Sequence, residues 1–385
     1  MEYFFTDEQK MIVGLARKLA VEKIKPVREH YEENEEFPWP IVEEIARAGL
    51  CGVYIPQEYG GFGGGIFELC LVVEELSKVD GAISLALAAT AMGTFPIFLS
   101  GNEQQKKRFL PDIASGKNLA AFAITEPNAG SDAGAIQTIA KKEGEHYILN
   151  GTKCFITNAG EANVYTVIAM TDKSKGSRGA SAFILEKGMD GFSFGKKEKK
   201  MGIRASATGE LIFNNCKVPK ENLLAKEGMG FIVAMKTFDV SRPGVAAQAL
   251  GIASGALEDA IEYSRQRIQF GHPISSQQAV QHMLADMATQ VEAARSLVYA
   301  TAKTIGANPA GRFTKESAMS KLFASEIAMK VTTDAVQVAG GYGYMREYPF
   351  EKRMRDAKIT QIYEGTSQIQ RNEIALALIK ESLRK

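Results

Sequence analysis

The segment HYILNGTKCF, residues 146–155, decides the predicted fold, because it brings an extended pattern into a mostly helical chain. Two short extended runs, HYIL and TKCF, flank the pair Asn150-Gly151. An Asn-Gly pair suits the type I′ turn, whose backbone twist matches that of two paired strands. The segment therefore predicts a β-hairpin with its turn at Asn150-Gly151.

More extended runs follow this hairpin, at residues 164–170, 181–187, 192–196 and 209–218, with turn residues between them. No helical pattern separates these runs, so they do not form the βαβ units of a nucleotide-binding Rossmann fold. They predict instead a small antiparallel β barrel or sandwich, in a domain that spans residues 119–227.

The sequence before this domain has helical periodicity. The segment TDEQ, residues 6–9, has the form of a capping box and begins a helix that runs to about residue 25. Pro40 is placed to start a second helix, which stops near Gly49. Three more helices are predicted at residues 67–77, 83–98 and 103–109.

The predicted helix 83–98 is rich in small residues, which permit close packing against a neighbour or leave room for a ligand. These residues are Ala86, Ala88, Ala89, Ala91 and Gly93.

Longer helical patterns return after Gly228. They cover residues 231–255, with a kink expected at Pro243, and residues 256–267, 277–306 and 315–338. Long apolar helices with short connections predict a bundle. The predicted fold is mainly α with a central β domain: an N-terminal helical domain at 1–118, the β domain at 119–227 and a C-terminal helix bundle at 228–385.

Composition and charge exclude several classes of protein. The 385 residues are long enough for two or three domains, and 45% hydrophobic with 24% charged residues is typical of a soluble protein. A net charge of +1 gives no electrostatic footprint for nucleic acid. We expect no signal peptide, because the N-terminus lacks a basic and an apolar region, and no membrane span.

The positions of the cysteines and histidines indicate the redox environment of the protein and whether it binds a metal. The four cysteines (Cys51, Cys70, Cys154, Cys216) form no CxxC pair, so buried, reduced thiols and a cytoplasmic location are expected. The four histidines (His30, His146, His272, His282) lack the spacing of a zinc site. We therefore predict no metal.

The segment RMRDAKITQIYEGTSQIQR, residues 353–371, contains a candidate general base. Glu364 precedes Gly365, which lets a ligand approach the backbone closely. Burial beside Tyr363 would raise the pKa of this carboxyl toward neutrality, where proton abstraction is most effective. The alternative is an ordinary surface Glu before a helix at 367–379, with Thr366 or Ser367 as its N-cap.

Two segments together resemble a known family. YEGTSQIQR, residues 363–371, resembles the C-terminal signature of the acyl-CoA dehydrogenases, and ITEPNAGSD, residues 124–132, resembles their other signature. The two lie far apart and in the family order. The resemblance implies the same order of helical domain, β domain and helix bundle, and FAD as the cofactor.

The resemblance also implies flavin contacts. It places Phe122, Ile124, Thr125 and Ser131 along the flavin, with Thr125 at the pyrimidine end and Ser131 also close to coenzyme A. It places Phe155 against the flavin ring, where relatives often have Trp, and Thr157 near the flavin N5. Thr366 and Gln368 are further predicted FAD contacts. On local pattern alone, residues 124–132 are equally consistent with a β-to-turn transition.

The segment FDVSRPG, residues 238–244, supplies predicted substrate contacts. The resemblance directs Asp239 and Arg242 toward the acyl-CoA, together with Ser131 and Gly365. A local ion pair between Asp239 and Arg242, at i and i+3 on one helix face, is the alternative. Some relatives carry their catalytic Glu at the position of Ser241, so Glu364 is the one candidate base here.

The segment RQRIQFGHPI, residues 265–274, resembles the part of the family that binds the adenine and pyrophosphate of FAD. Arg267 is a permanently charged phosphate partner and Phe270 offers a ring face. A solvated charge cluster is the alternative. Gln278, Gln337 and Gly341 complete the implied site, usually across a dimer interface, so the resemblance implies a homo-oligomer, with a tetramer as the family habit.

The function that the resemblance implies is FAD-dependent conversion of an acyl-CoA to the trans-2-enoyl-CoA, as an oxidoreductase of fatty acid metabolism. Glu364 would remove the α-proton, the flavin would accept the β-hydrogen, and an electron-transferring flavoprotein would receive the electrons. Three alternatives remain: an acyl-CoA oxidase, an enoyl-CoA reductase with an electron-bifurcating partner, and a non-catalytic flavoprotein.

Two features of the sequence bear on the acyl group. No Arg lies in residues 82–98 to pair with a dicarboxylate, which disfavours a glutaryl-type substrate. The small residues of the helix 83–98 favour a short-chain, branched or cyclic acyl group as a hypothesis.

Overall fold

The computed structural model describes residues 3–308 and 311–383, so the ends of the predicted outer domains lie outside it. The first region is helical: α1 (Asp7–Leu19), α2 (Arg28–Asn34), α3 (Trp39–Arg47), α4 (Ile66–Val79), α5 (Gly81–Ser100) and α6 (Glu103–Ala114). A π-helical turn, Ala20–Ile24, prolongs α1 to about its predicted length. The sequence analysis did not predict α2.

The predicted helix starts are confirmed. The Thr6 hydroxyl accepts a hydrogen bond from the Gln9 backbone N–H at 3.2 Å, and the Gln9 side chain accepts one from the Thr6 N–H at 3.0 Å. Pro40 lies in the first turn of α3, and Gly49, just beyond the end of α3, has a φ of 73°. Local capping chemistry therefore sets these boundaries.

The central region forms one sheet. Its strands are β1 (Ala120–Ala123), β2 (Ile139–Glu143), β3 (His146–Thr157), β4 (Val164–Met170), β5 (Ala180–Glu186), β6 (Phe192–Lys197), β7 (Thr208–Pro219) and β8 (Leu223–Leu224). The order is β6-β7-β3-β2-β4-β5-β8, and β1 pairs with β4. The sheet is mixed and not purely antiparallel, because β1 runs parallel to β4 and β2 has one parallel register with β4.

The predicted hairpin turn at Asn150-Gly151 is wrong. The strand β3 runs straight through this pair, with Leu149 opposite Cys216 and Gly151 opposite Phe213 across a register shift. The Asn150 side chain instead accepts a hydrogen bond from the Asn215 N–H at 2.8 Å. A Cβ on Gly151 would lie 2.5 Å from the Thr138 hydroxyl, so the glycine serves a close approach and a bulge.

The C-terminal region contains α7 (Gly230–Gln266), a small antiparallel ribbon of β9 (Ile268–Gln269) and β10 (His272–Pro273), α8 (Gln278–Ala307), α9 (Thr314–Ala339), α10 (Phe350–Thr360) and α11 (Ser367–Ser382). The prediction of two helices at 231–255 and 256–267 is wrong, because α7 is continuous over 37 residues and includes Pro243. Gly251 and Gly255 do not end it. A Cβ on either glycine would lie 2.5 Å or less from a backbone oxygen of α4, so both allow close helix packing.

Gly93 of α5 serves close packing against the sheet. A Cβ on Gly93 would lie 2.4 Å from the Ala121 nitrogen of β1. Within the described residues, α5 is also the one helix long and apolar enough to cross a membrane, but 78% of its apolar window is buried. It is therefore a core helix, which packs between the N-terminal helices and the sheet.

A buried ion pair fixes the segment that follows β1. The Lys153 ammonium of β3 lies 2.7 Å from Glu126 Oε1 and donates to the Ile124 carbonyl at 2.9 Å. Glu126 also accepts from the Thr138 N–H at 3.0 Å. Burial lowers the pKa of Lys153 to about 8. Burial alone would raise the pKa of Glu126, but the Lys153 ammonium together with the hydrogen bonds from Thr138 and Gln137 lowers it. The pair ties the start of the ITEPNAGSD segment, Ile124 and Glu126, to β3.

We predict that Gly93→Ala destabilises the protein by about 1–3 kcal/mol, because the new methyl group overlaps the β1 backbone. The measurement is the urea unfolding midpoint. Gly14→Ala in α1 is the matched control, since a Cβ there meets nothing within 4 Å. Equal midpoints for the two variants would contradict this packing.

We also predict that Lys153→Met costs about 3–5 kcal/mol, because it leaves the Glu126 charge buried without its partner. Lys141→Met on β2, whose ion pair with Glu143 is exposed, should leave the melting temperature close to that of wild type. Thermal melting of both variants tests the difference. A Lys153→Met protein as stable as wild type would show that the pair does not hold the segment.

Candidate active site

Glu364 lies in a strained turn between α10 and α11. Its φ is 50° and that of Gly365 is 92°, so two consecutive residues are left-handed. A non-glycine residue in this conformation costs about 1 kcal/mol or more. A Cβ on Gly365 would lie 2.5 Å from Gln370 Nε2, so this position requires glycine for space as well as for conformation.

Side chains of three helices hold this turn. Gln370 of α11 donates to the carbonyl oxygens of Glu364 at 3.1 Å and Gly365 at 2.9 Å. Lys321 of α9 donates to the Gly365 carbonyl at 2.7 Å. Arg242 of α7 donates to the Glu364 carbonyl at 3.4 Å. The strain is therefore offset by hydrogen bonds from the bundle.

The Glu364 carboxylate accepts a hydrogen bond from the Ser241 hydroxyl at 2.5 Å. Burial raises the pKa of Glu364, and the Ser241 hydrogen bond with the charges of Arg242 and Lys321 offsets part of the rise. A carboxyl with a raised pKa is well suited to take and hold a proton near neutral pH. The alternative of an ordinary surface carboxylate does not fit this environment.

The neighbouring Tyr363 anchors the turn on its other side. Its hydroxyl donates to the Gln248 side chain, and Gln248 Nε2 donates to the Gly81 carbonyl at 2.7 Å. Burial raises the pKa of Tyr363, so its hydroxyl stays protonated and remains a donor. As predicted, the Thr366 hydroxyl caps α11 by accepting from the Ile369 N–H at 3.2 Å.

The alternative of an ion pair between Asp239 and Arg242 is not the arrangement found. The Asp239 carboxylate accepts from the Thr314 hydroxyl at 3.0 Å, and the Arg242 guanidinium lies over the Phe238 ring at 5.6 Å. Burial raises the pKa of Asp239 and lowers that of Arg242. Both side chains are buried on α7, and Arg242 contacts the Glu364 turn directly.

Residues 122–132, a segment that runs from β1 through ITEPNAGSD, contact α7 through an aromatic pair. The Phe122 ring meets the Phe238 ring edge-on at 5.8 Å, and Phe238 stacks with Arg242. Of the predicted flavin contacts in the segment, Phe122 and Ile124 are buried, Thr125 is partly exposed and Ser131 is exposed. Helix α7 therefore contacts both β1, which leads into the first signature segment, and the Glu364 turn of the second.

Phe155 projects from β3 toward solvent. Its ring is 63% exposed and its φ is 58°, so the strand displays a large apolar face in a strained conformation. Thr157, two residues on, is partly exposed. A planar aromatic ligand would cover this face and would account for its exposure.

The residues predicted for the adenine and pyrophosphate lie at the ends of the bundle helices. The Arg267 guanidinium, just after α7, lies 5.4 Å from the ring of Tyr342, the residue that follows Gly341. Phe270 is 91% exposed, and Gln278, Gln337 and Gln368 are also exposed. The structure does not bring these glutamines together with Arg267 by a contact, so their roles stay predictions.

The arrangement fits FAD. Phe155 and Phe270 display ring faces suited to the two aromatic ends of the cofactor, and Arg267 supplies a cation for its phosphates. Among the residues that the structure describes, no group of three or more His, Cys, Asp or Glu could hold a metal ion.

The sequence analysis missed three residues of the site. Ser241 binds the carboxylate directly, while Lys321 and Gln370 hold the backbone of the turn. A signal existed for Lys321, because it falls on a helix face of small residues at Ala318, Ala324 and Ala328. A lysine on such a face has to meet an acceptor in the interior.

Models of the acyl-CoA dehydrogenase family match the chain in three parts. The N-terminal domain matches residues 6–117, the middle domain residues 121–216 and the C-terminal domain residues 228–379.

Individual relatives are similar over nearly their full length. A short-chain specific acyl-CoA dehydrogenase of Megasphaera elsdenii is 49% identical, over 96% of this chain and 97% of the relative. An acryloyl-CoA reductase (NADH) of Anaerotignum propionicum is 48% identical, over 99% of this chain and 96% of the relative.

Solved structures share the fold. A chain from a structure described as the electron transferring flavoprotein of Acidaminococcus fermentans, in work on flavin-based electron bifurcation, has a TM-score of 0.96 and 52% identity, covering 98% of this chain and 99% of that one. An acyl-CoA dehydrogenase of Bacillus anthracis, described as complexed with FAD, has a TM-score of 0.91 and 35% identity, covering 99% of this chain and 68% of that one. This chain belongs to the acyl-CoA dehydrogenase family.

Proposed function

We propose that the protein catalyses FAD-dependent α,β-dehydrogenation of a short-chain acyl-CoA to the trans-2-enoyl-CoA, with Glu364 as the base. The observation that carries this proposal is the Glu364 carboxylate, held by the bundle in a left-handed turn with a raised pKa. The similarity to a short-chain specific dehydrogenase supports the substrate class.

The cofactor would be held at two places. Phe122, Ile124, Thr125, Phe155 and Thr157 would contact the ring end. Arg267 and Phe270, with Gln278, Gln337, Gly341, Thr366 and Gln368, would contact the rest of the molecule. Bound FAD supplies a two-electron acceptor for the β-hydrogen of the substrate.

Glu364 would take the α-proton of the thioester. Before the reaction, the hydrogen bond from Ser241 stabilises the ionised carboxylate of Glu364. After proton transfer, burial favours the neutral carboxylic acid. The Glu364 backbone N–H would donate to the thioester oxygen, where negative charge develops, and such a donor lowers the barrier by about 3 kcal/mol. Ser131, Asp239, Arg242 and Gly365 are the further predicted substrate contacts.

The electrons would leave through an electron-transferring flavoprotein, which the similarity to the Acidaminococcus fermentans chain supports. The similarity to an acryloyl-CoA reductase favours a second candidate, reduction of an enoyl-CoA on the same site. In that direction the neutral Glu364 would return a proton to the α-carbon. Rapid reaction of the reduced protein with oxygen would instead indicate an acyl-CoA oxidase.

We further propose that the protein is a cytoplasmic homo-oligomer, with a tetramer as the family habit, in fatty acid metabolism. The four cysteines are free and buried, which is consistent with a reducing compartment. Large apolar side chains at the end of the bundle are exposed, including Tyr344 at 77% and Ile379 at 57%, and association would cover them.

We predict that Glu364→Gln slows reduction of the bound flavin by about 10²–10⁴-fold, because no carboxylate remains to take the α-proton. Anaerobic titration with a panel of acyl-CoA thioesters, followed by flavin absorbance, measures this. Glu347→Gln, at an exposed carboxylate, is the control. A Glu364→Gln protein that retains FAD and is bleached at the wild-type rate would remove Glu364 as the base.

We also predict that Met92 limits the acyl chain. Ala88 and Met92 are partly exposed and lie one turn apart on α5, whose other faces are mostly buried. Met92→Ala should move the optimum to a longer chain and Ala88→Leu to a shorter one, at about 0.8 kcal/mol per methylene. Rates across a chain-length series test this. A wild-type optimum above about twelve carbons would contradict the short-chain assignment.

A further inference from the structure

Lys321 is a fully buried lysine that none of the predicted roles uses. It is 0% exposed and lies on α9 among small neighbours, including Ser317, Ala318 and Ala324. Its ammonium donates to the Gly365 carbonyl at 2.7 Å. A buried ammonium is unfavourable unless hydrogen bonds and opposite charge compensate it, so this placement requires an electrostatic reason.

The charges around Lys321 identify that reason. Glu364 attracts it from the turn, Arg242 repels it from α7, and Glu326 attracts it from its own helix. Glu326 also accepts from the Ser367 hydroxyl at 2.6 Å and lies 3.9 Å from Arg371.

Arg242 in turn is influenced by Asp239 and Glu373. Burial lowers the pKa of Lys321, and the negative charges of Glu364 and Glu326 oppose this change. The charge of Glu364 has the larger effect of the two.

We propose that Lys321 is a positioning residue for the base: its ammonium holds the Gly365 carbonyl, and its positive charge favours the carboxylate form of Glu364. The inference rests on the proposed role of Glu364, which it deepens. Lys321 has no contact with substrate in this scheme and acts through the turn and through its charge.

Lys321 differs from Arg242 in that its charge can change near neutral pH. Burial lowers the pKa of Lys321 to about 7, although the charge of Glu364 opposes part of this change. Arg242 keeps its proton throughout this range. Because Lys321 and Glu364 are coupled, loss of the lysine charge raises the pKa of Glu364, and the two groups share their protons as a pair.

The test compares Lys321→Met, which removes both charge and donor, with Lys321→Gln, which removes the charge and keeps a donor. Infrared pH titration of the Glu364 carboxylic acid band, identified by its loss in Glu364→Gln, measures the pKa directly. We expect both variants to raise it, because the positive charge that favours the carboxylate is gone. The acid limb of kcat/KM should move to higher pH by the same amount, because the base is active only when ionised.

Lys330→Met is the matched control, since Lys330 lies on the same helix but pairs with Asp334 at the surface. It should leave the titration unchanged. FAD content and thermal melting are compared in parallel, since a purely structural role would lower these without moving the infrared titration. An unchanged Glu364 pKa in both Lys321 variants would overturn the proposal.

A second measurement applies if the Lys321 variants do not fold. In the wild-type protein with lysine labelled at the ε-carbon, NMR should show Lys321 titrating near pH 7, beside Lys153 and Lys200, whose pKa burial lowers to about 8. In Glu364→Gln the Lys321 titration should move to lower pH, because the attracting charge is gone. A Lys321 titration that does not respond to Glu364→Gln would overturn the coupling.

These readouts separate two failures. The infrared and NMR titrations need no turnover, so they test Lys321 even if no thioester reduces the flavin. Absence of flavin reduction in the wild-type protein would contradict the proposed function, while unchanged titrations in an active enzyme would contradict the role of Lys321 alone.

Discussion

The left-handed turn at Glu364 and Gly365 is the constraint on which the site depends. Glu364 would not hold this conformation in a free peptide without cost, whereas glycine adopts the positive φ of the second position readily. Donors from α7, α9 and α11 meet its two carbonyl oxygens. The position of the base is therefore a property of how the bundle helices pack, and a change in their packing is transmitted to the carboxylate.

Much of this architecture follows from local sequence signals. The capping box at Thr6, the placement of Pro40 and the Thr366 cap are each determined by neighbouring residues, and the structure confirms them. The order of helices, strands and helices follows from the change in periodicity. Glu364 was found from Gly365 and the surrounding signature, because those residues lie next to each other in the chain.

What local pattern did not predict depends on distant contacts. Asn150-Gly151 resembles a turn, but pairing with β7 and contact with Thr138 keep the strand continuous. Gly255 resembles a helix end, but burial of α7 against α4 keeps one helix. Lys321 and Ser241 enter the site from helices that lie far from Glu364 in sequence. Pairings of this kind are set by tertiary packing, which a periodicity argument does not contain.

The close contact of α5 with β1 links the N-terminal helical region to the sheet, so these regions cannot change independently in evolution. One hydrophobic core extends from Ile12 in α1 to Ala357 in α10 and includes β1, β4 and α7. Each region therefore has apolar faces that would be exposed to solvent if another region did not cover them. Recombination between relatives at the region boundaries would have to preserve these faces together, so the regions are expected to evolve as one unit and not as exchangeable modules.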